Sequence, residues 1–117
     1  MNERRIVLHD LVARAKEPDF PWIKMRPGIE IHRIYGDGHA GPSAALLRYA
    51  PGATLPHHQH PGHEHITILE GSQSDEHGVY RAPSFIVNPP GSSHDVHSPD
   101  GCMVLVVWNE PVVFSPG

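Results

Sequence analysis

The sequence predicts an all-β domain, a sandwich or barrel of short strands, and three observations carry that expectation. Thirteen prolines and 11 glycines stand among 117 residues, a mix suited to tight turns and hostile to long helices. Several stretches alternate apolar and polar residues with period two, the signature of strands with one face inward. Turn signals recur often enough to separate roughly eight to ten such strands, the spacing of a closed or double-sheet β fold.

Taken in order, residues 5–16 suggest a short strand followed by a helical turn. Pro21 and Pro27 then exclude regular helix and suit an edge strand. Trp22, between them, is expected to pack over the domain or across a dimer contact. From Ile29 the period becomes two, with Ile29, Ile31, Arg33 and Tyr35 on one face. Ser43 to Ala50 is apolar enough for a helix but is short and bounded by Pro42 and Pro51, so a strand is predicted. Glu64 to Glu70 is rich in β-branched residues and should stop at Gly71. Asp75-Glu76-His77-Gly78 reads as a solvated hairpin turn, with Gly78 free to take positive φ. Ser84 to Asn88 is a further strand. His94 and His97, three residues apart, cannot share a strand face, so one points in and the other out. Cys102 to Trp108 is almost continuously apolar and should be buried on both sides, and the tail beyond Glu110 should end loosely.

Composition excludes several classes of function. A formal charge of −4 without a Lys/Arg cluster offers no footprint for nucleic acid or an anionic membrane. The run Ile6-Val7-Leu8 is too short for a signal-peptide core, and a cytoplasmic location is expected. Cys102 is the single cysteine; it rules out a cysteine-rich zinc site and reads as a small buried strand residue. One domain spanning residues 1–117 follows from the length.

The chemistry concentrates in Gly52 to Gly71, which holds five of the 11 histidines. His58 and His60 are two apart, so in a strand they point the same way, roughly 6.6 Å apart along the chain. Two imidazoles so placed can converge on one ion, each nitrogen about 2.0–2.1 Å from it. Pro61-Gly62 then reverses the chain, as in a strand pair, and returns Glu64 beside them as an anionic third ligand. With Glu64 inward, Ile66 and Ile68 share its face. A fourth ligand must come from further along the chain.

The spacing Gly52-x5-His58-x-His60-x3-Glu64-x6-Gly71 resembles the first conserved motif of the cupin superfamily, and Pro89-Pro-Gly91-Ser-Ser-His94 resembles the second. Pro83 and Ser98 depart from that pattern, standing where glycine and asparagine are usual. A closer similarity is to the cupin domain of ChrR-type anti-sigma factors and their stand-alone relatives, which include acetylacetone-cleaving dioxygenases. It rests on Leu46–Ala53, Leu69–Gly71, Ser74–Tyr80, Asn88–His94 and Ser98–Cys102. The resemblance implies a double-stranded β-helix, or jelly roll, with its core over 29–109 and an N-terminal arm over 1–28. It also implies one divalent metal held by His58, His60, Glu64 and His94. His57, His63, His65 and His97 are then left to supporting or surface roles. Anti-sigma activity is not implied, since ChrR-type proteins carry it on a separate helical domain.

Three imidazoles and a carboxylate suit Fe(II), Mn(II), Ni(II) or Zn(II) alike. Zinc would complete a tetrahedron with these four ligands, whereas octahedral iron or manganese keeps two positions open for substrate and dioxygen. Three functions therefore stand open. One is a dioxygenase acting on a small diketone-like molecule, with Ile66, Ile68 and Phe85 as an apolar wall and no catalytic acid or base identified beyond the ligands. Another is a metal-dependent small-molecule or redox sensor, and the third a cupin whose zinc is structural. The edge near Trp22 and the apolar last strand suggest a homodimer.

Overall fold

The computed structural model describes residues 4–116, which leaves the first three residues of the expected N-terminal arm outside the described residues. It contains one short helix, α1 (Leu11–Ala15), and ten strands. These are β1 (Ile23–Arg26), β2 (Ile29–Tyr35), β3 (Ser43–Tyr49), β4 (Ala53–Gln59), β5 (Glu64–Asp75), β6 (Gly78–Arg81), β7 (Ser84–Asn88), β8 (Ser93–Ser98), β9 (Cys102–Trp108) and β10 (Val113–Phe114). All pairings are antiparallel and run β1-β2-β3-β9-β5-β8-β4-β10, with β6 and β7 also on β5. The result is an all-β jelly roll whose two sheets share the long strand β5.

Gly71 makes that sharing possible. Up to this residue β5 pairs with β7 and β9; beyond it, with β6 and β8. The backbone turns there at φ +73, and a Cβ at Gly71 would stand 2.1 Å from the carbonyl oxygen of Gly101. Only glycine meets both conditions. The strand expected to stop at Gly71 instead bends there and continues to Asp75, because a positive-φ residue with its neighbours still paired redirects a strand without ending it.

The core lies between the sheets. Ile29 and Ile31 of β2, Leu47 and Tyr49 of β3, Ile66 and Ile68 of β5, and Val104 and Val106 of β9 form one wall, and Leu55 and Val96 face them from β4 and β8. A smaller cluster explains why β3 and β9 are apolar on both faces. Leu46 and Met103 point outward and are covered by Ala15 of α1 together with Leu11, Phe20 and Trp22. Trp22 is fastened there, its indole N–H donating to the Ala15 carbonyl at 2.9 Å and the Arg48 guanidinium lying 4.5 Å above its ring. Trp22 thus packs over its own domain, the first of the two expected roles.

Several expectations are corrected. Residues 4–8 are irregular, so only the helical part of the reading over 5–16 is found. The β5–β6 turn is made by Glu76 and His77; Gly78 is paired with Asp75 and does not take positive φ. Asp75 itself stabilises the turn by accepting the His77 N–H at 2.8 Å, which removes the need for glycine. The sheets also reach beyond 29–109, through β1 on one side and β10 on the other. Beyond Glu110 the tail adds a short strand before its end, Val113 and Phe114 pairing with Gln59 and His58. Before Ser84, where the sequence departs from the usual glycine, the chain passes through a cis Ala82–Pro83 peptide. At the other departure, the Ser98 hydroxyl is buried and donates to the Ser72 carbonyl at 2.7 Å.

Candidate metal centre

β4 and β5 are not hydrogen-bonded neighbours, so the strand-pair reading of Gly52 to Gly71 is wrong in detail. The Pro61-Gly62 turn carries the chain from one sheet to the other, and β4 pairs instead with β8 and β10. His58 lies directly opposite His94 in that pairing. His60 extends it beyond the strand end, its N–H donating to the Ser92 carbonyl and its own carbonyl accepting from Gly91, both at 2.8 Å. One sheet thus supplies three histidines, and Glu64 reaches them from the sheet opposite.

A bulge aims the histidines. Leu55 pairs with Val96 and His58 with His94, so β4 spends one residue more than β8 over the same interval. Strict alternation from the buried Leu55 would turn His57 inward. The extra residue shifts the parity, so His58 and His60 face the interior while His57 lies at the margin. The bulge also turns the Pro56 carbonyl toward its neighbour, where it accepts a hydrogen bond from His58 Nδ1 at 2.8 Å.

Each imidazole is locked in the same tautomer by a different acceptor. A carbonyl can only accept, so His58 Nδ1 carries its proton toward Pro56. His94 Nδ1 donates to Asp75 Oδ2 at 3.0 Å. The Ser92 hydroxyl gives its proton to the Pro89 carbonyl at 2.6 Å, so it must accept from His60 Nδ1 at 2.9 Å. All three Nε2 atoms are thereby left to face one another. Those of His60 and His94 are buried with no hydrogen-bond partner, a costly state for a polar nitrogen in a protein interior. The ligand atoms of His58, His60 and His94 lie within 4.8 Å of one another, and this buried trio can hold a metal ion.

Glu64 stands beside the trio, its Oε1 3.0 Å from His60 Nε2. That approach is close but not directed as a hydrogen bond, since His60 Nε2 carries no proton in the tautomer fixed by Ser92. Glu64 is centred between Asn88 on β7 and Trp108 on β9. Asn88 donates to Oε1 at 2.9 Å and the Trp108 indole to Oε2 at 2.7 Å. Burial pushes its carboxyl up, but His60 when protonated, and then the Asn88 hydrogen bond, outweigh it and hold the pKa below the ordinary value. Burial, the largest influence on His58, lowers its pKa against the opposing pull of the Pro56 carbonyl. Bare nitrogens and an ionised carboxylate facing one another repel unless a cation lies between them, so these residues fit a divalent metal.

The sequence reading placed His58, His60, Glu64 and His94 together, and all four are at least 95% buried at one centre. It placed Asp75 in a solvated turn, whereas the carboxylate is folded back onto His94 and also accepts the Tyr80 hydroxyl at 3.1 Å. Desolvation raises Asp75, but hydrogen bonds from His94, His77 and Tyr80 bring its pKa below the ordinary value. Ser92, Asn88 and Trp108 were missed because each acts across a strand pairing that spacing along the chain does not encode. Of the remaining histidines, His57 bonds the Ser115 hydroxyl at 2.7 Å, and His97 is exposed. The rings of His63, which is exposed, and His65, which is half-buried, lie 6.2 Å apart.

A cavity of about 280 Å³ opens beside His58, Glu64 and His94. Its walls are mostly apolar, among them Leu47, Ile66, Val96 and Val106. Ile68 lies deeper, in the core. Phe85, expected on this wall, is 64% exposed on the outer face, because it alternates with the inward-facing residues of β7. Phe114, which the sequence did not single out, lies at the cavity edge instead of Phe85, 5.6 Å from the His58 ring. Tyr49 and Gln73 also line the cavity, and burial pushes the Tyr49 phenol far above its ordinary range, so it remains an O–H donor.

A model of the ChrR cupin-like domain matches residues 11–112. The fold is similar to that of an acetylacetone dioxygenase from Acinetobacter johnsonii, with TM-score 0.77 and 16% identity over 99% of this chain and 83% of the other. It is also similar to the Rhodobacter sphaeroides structure of SigE in complex with the anti-sigma ChrR, with TM-score 0.67 and 19% identity over 92% of this chain and 70% of that one. A Ralstonia eutropha JMP134 protein of unknown function with a cupin-like fold aligns at TM-score 0.65 and 25% identity, over 70% of this chain. This chain spans little more than half of that protein, 55% of its length. No curated protein matches the chain.

Proposed function

The chain belongs to the ChrR cupin-like domain family, and from that premise we propose that it is a mononuclear metal cupin with dioxygenase-like chemistry on a small diketone-like molecule. One observation carries the reading. Three buried imidazoles, each fixed with Nδ1 protonated, turn their bare Nε2 atoms toward one point beside an ionised carboxylate. His58, His60 and His94 would hold the metal, with Glu64 as its anionic ligand. A bound redox-active ion would supply Lewis acidity and a site for dioxygen.

The chain's own groups account for the rest. Pro56, Ser92 and Asp75 hold the imidazole tautomers, and Asn88 and Trp108 orient Glu64. Leu47, Ile66, Val96 and Val106 keep water from the cavity. Tyr49 offers a hydroxyl that stays protonated at neutral pH and can donate to a carbonyl oxygen. Support for the diketone class comes from the fold similarity to the acetylacetone dioxygenase. The test is metal analysis of protein purified without added metal, followed by oxygen uptake after anaerobic Fe(II) loading across a panel of diketones. Stoichiometric zinc with no oxygen uptake would overturn the reading.

A second reading, a metal-dependent sensor that signals to a protein partner, is favoured by the family match itself. Capture of a specific partner by the native protein, lost in His58→Ala, would decide for it over the enzyme.

A further inference from the structure

We infer that the cavity takes an organic anion: a small carbonyl compound bearing a carboxylate, with the charged end received by Arg26 and Arg33. This rests on the reading of the cavity as a small-molecule site and names the class of molecule. Both guanidinium-bearing residues line the same cavity as His58, Glu64 and His94. Among the described residues Arg14 pairs with Glu17 and Asp19, Lys16 with Glu70, and Arg48 with Glu30; Arg26 and Arg33 are the cations that line this cavity. Among the described residues neither Arg26 nor Arg33 has a carboxylate partner. Among the described residues the one acid on the cavity wall is Glu64, and its two oxygens are already committed to Asn88, Trp108 and the histidine cluster.

Both arginines are positioned. Arg26 is half-buried, its guanidinium carbon 5.2 Å from the centre of the Phe114 ring, and its charge reaches the buried Tyr49 phenol. Arg33 lies against Gly38, where a Cβ would stand 2.5 Å from a guanidinium nitrogen. The bare glycine leaves that room. The half-buried Arg26 guanidinium on a mostly apolar wall is under-solvated, whereas Arg33 is exposed beside the same cavity, and a carboxylate can meet either with two parallel hydrogen bonds. A neutral diketone has no group to meet that need. The metal centre and the arginines together fit a molecule with a carbonyl end, a short apolar body and an acidic end.

The experiment compares succinylacetone, a diketone with a carboxylate arm, with its methyl ester, by calorimetry on the metal-loaded protein. The acid is expected to bind about tenfold more tightly or better, one charge-assisted hydrogen bond or more. Arg26→Gln and Arg33→Gln should each erode the affinity for the acid far more than for the ester, and the double variant should abolish the preference. A parallel arm uses hexanoate and hexanol on metal-free protein, read by Trp108 fluorescence and NMR shifts. There too hexanoate should bind better, in an arginine-dependent and salt-sensitive way. Equal binding of acid and ester, or a preference untouched in the double variant, overturns the anion site and leaves the diketone reading standing. Arginine-dependent hexanoate binding with neither diketone bound retires the diketone reading and keeps the anion site. No arginine-dependent preference in either arm overturns the proposal.

Discussion

Asp75 Oδ2 accepts the Nδ1 proton of His94 at 3.0 Å, joining the tip of the β5–β6 hairpin to the centre of the β4–β8 pairing. The carboxylate fixes His94 with Nε2 inward and makes that imidazole a stronger donor than a carbonyl partner would. Asp75→Asn should keep the geometry and lose the charge. Metal affinity is expected to fall by about 10–100-fold, the usual cost of losing an outer partner of a metal-binding histidine. Competition with a chromophoric chelator measures it, and an affinity within twofold of the parent would contradict the role.

Alanine at His58, His60 or His94 should remove stoichiometric metal, whereas alanine at His57, His63, His65 or His97 should leave it in place. Glu64→Gln discriminates further, since it keeps the shape between Asn88 and Trp108 but removes the anion. Metal content by elemental analysis reads all eight variants. Retained full occupancy in His60→Ala would sink the centre as drawn.

The pKa directions set a pH profile for the metal-free protein. His58 titrates below its ordinary 6.5, so the unfolded chain binds protons more readily there and stability falls as pH drops below about 6.5. Glu64 and Asp75 titrate below 4.5 and 3.8 respectively, so their stabilisation is present above those values and is lost as pH falls through the lowered folded values. Melting temperature should be level above pH 7 and decline in two stages on acidification. Metal should stabilise most at neutral pH and lose its hold below about pH 6, as protons compete for imidazole. Occupancy unchanged at pH 4 would contradict the site.

Gly71→Ala must place a Cβ where only 2.1 Å separates it from the Gly101 carbonyl, at φ +73. We expect a loss of at least about 2 kcal/mol, from backbone strain and overlap together. Urea unfolding measures it. A variant as stable as the parent would show that β5 can pass between sheets without this bend.

Phe114 is 43% exposed yet lies against His58 at the cavity edge. Phe114→Ala should cost less than about 1.5 kcal/mol of stability, because only about half of the side chain is buried. It should also speed metal removal by a chelator several-fold. Loss of stability with unchanged removal kinetics would assign the ring to packing alone.

How far the chain could be read follows from what is local in it. The period-two strand beginning at Ile29 and the outward His97 depend on alternation within single strands, and alternation is legible residue by residue. The spacing of His58, His60, Glu64 and His94 was legible through its resemblance to a known motif. Asp75, Ser92, Asn88 and Trp108 were not, since their roles arise where strands distant in sequence meet in register.

The sequence alone therefore determined an all-β chain and the four residues that meet at its centre. Tertiary structure decided that β4 and the part of β5 before Gly71 belong to opposite sheets, that a bulge at Pro56-His57 turns His58 inward, and that Gly71 carries β5 across both sheets. It also decided that the C-terminal Phe114 reaches His58 and that Arg26 and Arg33 share the cavity. The physical reason is that side-chain parity is a property of each strand, whereas pairing, bulges and enclosure are settled only when separate strands compete for the same hydrogen bonds and the same interior.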